Sequence, residues 1–452
     1  MRVPVRSLAV VAAAAATLLA VAPASATPAP PTTTTNPAAA AAGWLAGQFS
    51  TDHITVFGDT AGSTASALFG LAESGTGSEL IHAAASYLAA NAVTVADLGA
   101  TATIKAGAVA KIALAEMVAG NDPRSVVPGH DLVAALQGAQ CMPSTVPACS
   151  PIGAGNNIGA SIDEALILMA QSRAALAYAT PAPSADAIGY FLRLRSSDGA
   201  FTWSATPPTD TSNDDVDSTG FALMALQAIT AAHQIPSTLT ADVAGAITAA
   251  KAWLVGQRTT GGFWQSCFNG SCTPSVDSSG TAAAGLAAVG ADVSATKAWI
   301  VSQQITTGPT FGATATRGAL SCGDQSSGCS NAFSTWDGLL ALGGTSLATL
   351  TAANATPGTA VLALAPATTS ASTVIAGGQL TARAAGLTPG EQVAVTLHSA
   401  PVGLGTVTAD PAGTASITFT VPATVPPGTH TVSFAGLASG LVSTSGSFTV
   451  LA

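Results

Sequence analysis

Apolar positions between residues 41 and 348 recur at intervals of three and four, the spacing of one face of an α-helix. Two kinds of helical block alternate six times. The first carries a large apolar residue followed four positions later, in several copies, by glutamine, as at Trp253 and Gln257. The second is rich in small residues and is clearest at 217–226 and 277–286, with fainter copies at 62–71, 105–114, 159–168 and 333–342. The alternation predicts six two-helix units.

A two-helix unit cannot bury its apolar face alone, so the copies must stack on one another. Stacking gives either an open solenoid or a closed ring. Neither end of the array carries a polar capping repeat. We therefore expect residues 41–348 to form an all-α (α/α)6 toroid of six helical hairpins.

The pattern changes to period-two alternation after about residue 374, as in segments 392–397, 415–421 and 429–434. Glycine and proline turns separate these segments, which is typical of a small all-β sandwich. We assign residues 374–452 to an immunoglobulin-like β-sandwich. The Ala, Thr, Ser and Pro-rich stretch 349–373 is predicted to be a linker.

The amino-terminal segment has the three parts of a secretory signal peptide: Arg2 and Arg6, an apolar stretch over 8–21, and an Ala-x-Ala end at Ala26. We expect residues 1–26 to be removed and 27–40 to be a Thr/Pro/Ala-rich linker. No later stretch is apolar enough to cross a membrane. The expected location is extracellular, either free or associated with the cell envelope.

The formal charge of −10, with only 8% charged residues, disfavours nucleic acid as a partner, because phosphate backbones are repelled. The cysteines fall into three close pairs, which outside the cell predict local disulfides. A zinc site is the weaker alternative, since no Cys-x-x-Cys occurs. The predicted pairs are Cys141–Cys149, Cys267–Cys272 and Cys322–Cys329.

The segment Gln257-Arg-Thr-Thr-Gly-Gly-Phe263 resembles the Gln-x-x-x-Gly-x-aromatic motif of prenyltransferase and squalene-cyclase repeats, and 195–201 is a degenerate copy. The resemblance implies the α/α toroid shared by terpenoid cyclases, prenyltransferase β subunits, complement thioester domains and cobalamin carriers. Such a fold does not fix a function. The β-rich tail resembles immunoglobulin-like repeats at the ends of exported actinobacterial surface proteins.

The run Asp215-Val-Asp217-Ser218-Thr219 is similar to the Asp-x-Asp-Asp run of class II terpenoid cyclases, in which an aspartic acid protonates an alkene. The resemblance implies Asp217 as the acid and Asp215 as its neighbour, although Ser218 replaces the last aspartate. The alternative, which we favour from the local sequence, is that Asp217 is the N-cap of its helix. At 5% aromatic residues, the chain has few groups to stabilise a carbocation.

The densest carboxylate cluster is a weak calcium candidate, because it lacks the glycine and glutamate of an EF-hand loop. Solvated loop carboxylates are the preferred interpretation, and the sequence indicates no cofactor. The four aspartates of this cluster are Asp210, Asp214, Asp215 and Asp217.

The three cysteine pairs and the acidic cluster all lie between the first and second helix of a repeat, so they are expected on one rim of the ring. The aromatic residues expected there either bind a ligand or fill the ends of the hairpins; they are Trp203, Phe263, Trp264, Phe268 and Phe311.

Three functions are therefore open. The first is a secreted, non-catalytic protein that binds a small apolar ligand or an extracellular macromolecule at this rim. The second is a terpenoid cyclase-like enzyme that acts through Asp217, and the third is a structural cell-surface module. The orientation of Asp217 distinguishes the first two: a cyclase needs its carboxyl group in an aromatic-lined cavity, whereas a binding module has Asp217 as a helix cap.

Overall fold

The computed structural model describes residues 32–99, 104–138, 160–204, 207–268, 271–308, 315–323, 331–399 and 401–452. Within these ranges each of the predicted helical blocks corresponds to an α-helix. The twelve helices are α1 (Pro37–Ala46), α2 (Ala61–Ser74), α3 (Ser78–Val95), α4 (Ala106–Val118), α5 (Leu132–Gly138), α6 (Ala160–Tyr178), α7 (Ala185–Leu192), α8 (Val216–Ala231), α9 (Thr240–Gln257), α10 (Val276–Ala288), α11 (Ser294–Ser302) and α12 (Ala332–Gly343). A short 3-10 turn, Ser237–Leu239, precedes α9.

The even-numbered helices form a closed inner ring. Each even-numbered helix packs against the next even-numbered helix, from α2 to α12, and α12 packs in turn against α2. The odd-numbered helices lie outside, each against one or two inner helices. The helical part of the chain is therefore an α/α toroid, and one continuous apolar core runs through it.

Glycines on α8 and α10 allow the inner helices to approach closely. A Cβ atom added at Gly280 would overlap the backbone of Asp337 on α12, and one added at Gly285 would overlap the backbone of Gly220 on α8. Close backbone contact of this kind is available only to residues without a side chain. It brings the amino-terminal ends of α8, α10 and α12 together.

A buried hydroxyl at the fourth position of four inner helices ties the preceding connection to the ring. Thr219 on α8 accepts a hydrogen bond from the Phe201 amide at 2.9 Å, and Ser279 on α10 accepts one from the Trp264 amide at 2.9 Å. Thr64 and Thr335 do the same for the amides of Ile54 and Leu320. The connections are thus fixed along the end of the ring at which the inner helices begin.

The strands lie in the tail, apart from one pair beside α1 and one hairpin within the toroid. Their bounds are β1 (Thr32–Thr34), β2 (Trp264–Phe268), β3 (Ser271–Ser275), β4 (Ala360–Leu362), β5 (Thr368–Thr369), β6 (Thr373–Ile375), β7 (Gln379–Ala384), β8 (Gln392–His398), β9 (Val402–Thr408), β10 (Ala415–Thr420), β11 (Gly428–Gly436), β12 (Val442–Thr444) and β13 (Phe448–Leu451).

Two sheets form the tail. One has the order β10-β7-β5, and the other has the order β6-β13-β11-β8-β9, with β12 also paired to β11. Alternate residues from both sheets, including Leu380, Phe434 and Phe448, fill one core between them. The period-two segments seen in the sequence correspond to β8, β10 and β11.

Parts of the two predicted linkers, within residues 32–40 and 349–373, pack against the toroid. Helix α1 begins at Pro37, inside the stretch 27–40, and β1 pairs in parallel with β4. Leu350 is buried in the helical core, and the Gly358 amide donates to Glu79 of α3 at 2.9 Å. Composition predicted linkers here. Short polar residues also suit an extended segment whose backbone is hydrogen-bonded to the toroid.

Candidate functional site

A central cavity of about 960 Å³ opens at the amino-terminal ends of the inner helices. Five of them contribute their second and sixth residues, which share one helix face because they are four apart. On α6 the register differs by one residue, and Ile162, Asp163 and Leu166 are presented instead. The five pairs are Gly62 and Ser66, Gly107 and Lys111, Asp217 and Phe221, Asp277 and Thr281, and Phe333 and Asp337. The volume is within the range of small-molecule sites.

Three carboxyl groups from consecutive inner helices meet in this cavity: Asp217 of α8, Asp277 of α10 and Asp337 of α12. Thr281 donates its hydroxyl to Oδ1 of Asp217, and Ser278 donates to Oδ2 at 3.2 Å. These two bonds fix the orientation of the Asp217 carboxyl group from the neighbouring helix.

The surroundings favour the protonated forms of two of these acids. Burial raises the pKa of Asp217 well above its usual range, and the charges of Asp277 and Asp215 raise it further against the two hydroxyl donors. Burial likewise raises the pKa of Asp337, with added effects from the charge and a hydrogen bond of Asp277. Both side chains therefore hold a proton more tightly than an exposed aspartate does.

The preferred interpretation of Asp217 as a helix cap is wrong. The N-cap of α8 is Asp215, whose Oδ2 accepts from the Ser218 amide at 2.8 Å. Asp217 is the second residue inside the helix, so its side chain projects from the face that lines the cavity. The same arrangement recurs at α10, where Ser275 is the cap and Asp277 faces the cavity.

The opposite wall carries a lysine and a further acid. Burial lowers the pKa of Lys111 on α4, against the charges of Asp59, Asp337 and Asp163. Burial raises the pKa of Asp163 on α6 to about 7, against the charge of Lys111. The cavity wall is therefore polar on both sides, with more acidic than basic groups.

Aromatic side chains line the path from the mouth to the interior. Phe57, in the connection before α2, contacts Phe333 in a tilted arrangement with 5.6 Å between ring centroids, and Phe333 contacts Trp336 at 4.5 Å. On another part of the wall, Tyr87 of α3 stacks on His53 at 4.6 Å. The sequence analysis missed these residues, because most lie in the fainter repeats or in a connection without periodicity.

The predicted rim aromatics whose side chains the structure describes, Trp203, Phe263 and Trp264, do not line the cavity. Trp264 is fully buried and donates its indole N–H to the Leu254 carbonyl at 2.9 Å, so it fills a hairpin end. Phe263 stacks on Trp299, and Trp203 is half-exposed. Phe311 and the side chain of Phe268 lie outside the described part of the chain.

Cys267 and Cys272 form the predicted disulfide across β2 and β3. Cys141, Cys149 and Cys329 fall outside the described ranges, so the other two pairs stay predictions. No helix among the described residues is long and apolar enough to cross a membrane.

The weak calcium candidate is not a site in this structure, because its aspartates have separate roles. Asp215 caps α8, Asp217 faces the cavity, and Asp210 accepts from the Ser212 amide in an exposed turn. Across the ranges that the structure describes, no three His, Cys, Asp or Glu side chains are grouped to hold a metal ion.

Comparison with known proteins gives little beyond the geometry. No protein-family profile matches the chain, and no curated protein matches it. One similar solved structure is the unsaturated glucuronyl hydrolase of Bacillus sp. GL1, described as responsible for glycosaminoglycan degradation. It is 12% identical, with a TM-score of 0.47, over 68% of this chain and 95% of the other. A similarity of this size carries no inference about function.

Proposed function

We propose that the protein is an enzyme that cleaves glycosidic bonds in the central cavity of the toroid by general acid–base catalysis. The observation that carries this proposal is the meeting of Asp217, Asp277 and Asp337 in one cavity. Glycoside hydrolysis needs one carboxylic acid to protonate the leaving oxygen and a second carboxyl group on the other side of the bond. Three carboxyl groups on adjacent inner helices line this cavity, which is more than the two that the reaction requires.

In the proposed reaction, Asp337 donates its proton to the glycosidic oxygen as the bond from that oxygen to the anomeric carbon breaks. Asp217, whose ionised form Thr281 and Ser278 stabilise by donating hydrogen bonds, takes a proton from the water that attacks the anomeric carbon. Asp277 lies beside both acids and raises the pKa of each through its negative charge. Preorganised hydrogen bonds of this kind avoid reorientation during the reaction.

The mixed lining of the cavity supports a sugar as the substrate. Aromatic faces such as Phe333 and Trp336 suit the apolar faces of sugar rings, while carboxyl and hydroxyl groups suit their hydroxyls. Lys105 and Lys111 add nitrogen hydrogen-bond donors. We further propose that the enzyme acts outside the cell, which the signal-peptide pattern and the Cys267–Cys272 disulfide support.

Protonation of an alkene by Asp217 is the second candidate function. Its specific support is that this carboxyl group faces a cavity that also contains Phe221, Phe333 and Trp336. The wall also carries five aspartates and two lysines, which an apolar polyene would have to desolvate without hydrogen bonding to them. We therefore prefer the polar substrate.

The test is a substrate panel applied to residues 27–452. Cello-, xylo-, chito- and malto-oligosaccharides are assayed for new reducing ends, and linear isoprenoids are assayed in parallel for cyclic products by mass spectrometry. Asp217→Asn and Asp337→Asn are each expected to lower sugar release by about 100-fold or more. The matched control is Asp242→Asn, an exposed first-turn aspartate of the outer helix α9, which should retain wild-type activity.

The outcomes separate the candidate functions. Sugar release that depends on Asp217 and Asp337 supports the proposal. Cyclic products without sugar release would select the cyclase. Binding of an oligosaccharide or an isoprenoid without turnover would instead support a non-catalytic binding function.

A further inference from the structure

The residue Phe57 has no role in the core of the molecule. Its side chain is 90% exposed, although it belongs to the bulkiest apolar class. Its backbone has a positive φ of 51°, which is unfavourable for a large side chain, and Gly58 follows with a φ of 81°. Strain of this kind persists where the surrounding structure imposes it, and it is concentrated at functional sites.

The connection that carries Phe57 is held in place at several points. The Ile54 amide donates to the Thr64 hydroxyl at 3.1 Å, and the Val56 and Asp59 backbones pair across a tight turn. His53 stacks on Tyr87 of α3. The exposed ring of Phe57 is therefore presented by a fixed loop, so it needs no ordering when a ligand binds.

The Phe57 ring begins a continuous aromatic surface that leads to the acids. It makes a tilted ring contact with Phe333, which in turn contacts Trp336. On α12, Phe333 and Asp337 are four residues apart and share the cavity face, which places them about 6 Å apart along the helix axis. A sugar ring bound at Phe57 would thus lie nearer the cavity mouth than the glycosidic bond next to Asp337.

We infer that Phe57 and Phe333 form an entrance subsite that stacks on a sugar ring of a chain-like substrate, beyond the unit whose bond is cleaved. This inference rests on the proposed function and deepens it, because it assigns the enzyme to oligomeric rather than monomeric glycosides. The site is preformed and open to solvent, and its rings continue inward to the acids. A substrate of one unit would reach the acids without touching Phe57.

The test is a length series, from monosaccharide aryl glycoside to hexasaccharide, of the oligosaccharide that the panel identifies. For Phe57→Ala we expect kcat/KM to fall about tenfold on the longest substrates, mainly through KM, and to change less than about twofold on the shortest. Phe57→Tyr keeps the ring and should restore the wild-type profile. Leu176→Ala, at a 68% exposed apolar residue of α6 outside the cavity lining, is the matched control and should change nothing.

Equal losses at every length, or no loss at all, would overturn the inference while leaving the proposed function intact. If no glycoside is hydrolysed, calorimetric titration of the same four oligosaccharide series tests the subsite on its own. Affinity that rises with chain length and loses that rise in Phe57→Ala supports it. Affinity that is independent of length, or absent, contradicts it. Thermal unfolding should show that Phe57→Ala is as stable as the wild type, since the ring is almost fully exposed.

Discussion

The two halves of the inner ring share one backbone plan but present different chemistry to the cavity. Helices α8, α10 and α12 present Asp217, Asp277 and Asp337, whereas the same two positions on α2 and α4 carry Gly62, Ser66, Gly107 and Lys111. The fold needs small residues and stacked helices from every repeat. The function that we propose needs only two positions per helix, and it uses one half of the ring.

The buried hydroxyl that accepts a hydrogen bond from the preceding connection is also distributed unequally between the two halves of the ring. It is present on α8, α10 and α12 and on α2, but α4 has Val109 at the fourth position and α6 has Asp163. The acidic half therefore has all three of its connections fixed at the mouth of the cavity. We expect this half to be the more rigid and the more sensitive to substitution.

The largest expected effect is on activity. Asp277→Asn should lower kcat by about 100-fold or more, because the negative charge that raises the pKa of the proton donor Asp337 is lost. Asp163→Asn, on the opposite wall, should change kcat by less than about tenfold. Steady-state kinetics on the best oligosaccharide of the panel measures both. Equal losses would show that both halves of the ring take part in catalysis.

The next effect is on stability and concerns the close approach of α10 and α12. Gly280→Ala should lower the free energy of unfolding by about 3 kcal/mol, because the added Cβ would overlap the backbone of Asp337. Gly245→Ala on α9, where nothing lies within 4 Å, should instead raise it by about 0.5–1 kcal/mol through helix propensity. Urea denaturation compares the two. A stabilised Gly280→Ala variant would mean that the acidic half is packed more loosely than the structure shows.

Acids with a raised pKa make stability depend on pH in a defined direction. Asp217 and Asp337 bind protons more tightly in the folded state, so their effect is absent below the unfolded pKa near 4, and stability falls as the pH rises above it. Double replacement by asparagine should raise the free energy of unfolding at pH 8 and leave it unchanged at pH 3.5. Urea titrations at the two pH values measure this. A variant that is less stable at pH 8 would show that the two acids are ionised and well solvated.

The smallest expected effect concerns the connection before α8. Thr219→Val should lower the free energy of unfolding by about 1–2 kcal/mol, since the buried Phe201 amide loses its acceptor. Thr248→Val, at an exposed position of α9, should change it by less than about 0.5 kcal/mol. Thermal unfolding distinguishes them, and equal effects would show that the hydroxyl does not fix the connection.

The sequence was sufficient for the helical plan, because apolar spacing repeats in every unit and reports burial directly. The β strands were found for the same reason, as alternation at β8, β10 and β11 reports one buried face. The packing of segment 349–367 was not predicted, because its order depends on backbone hydrogen bonds to other segments rather than on its own side chains.

The site was only partly predictable. Asp217 was singled out, but two aspartates two residues apart both suit a helix start, and only the tertiary structure shows that Asp215 is the cap. Asp217, Asp277 and Asp337 are equally spaced along the chain, a signal that could have grouped them. Nothing in the local sequence marks Phe57, whose position depends on a connection from the first repeat reaching a helix of the sixth.

The proposed catalysis depends most directly on the protonation of the three clustered acids, which can be measured. The measurement is a carbon-13 NMR titration of the aspartate carboxyl resonances, assigned with Asp217→Asn and Asp337→Asn. Two resonances, each lost in one variant, are expected to titrate at a higher pH than those of the other aspartates. If every aspartate has instead become ionised by pH 5, the buried acid cluster does not exist in solution and the proposed catalysis has no proton donor.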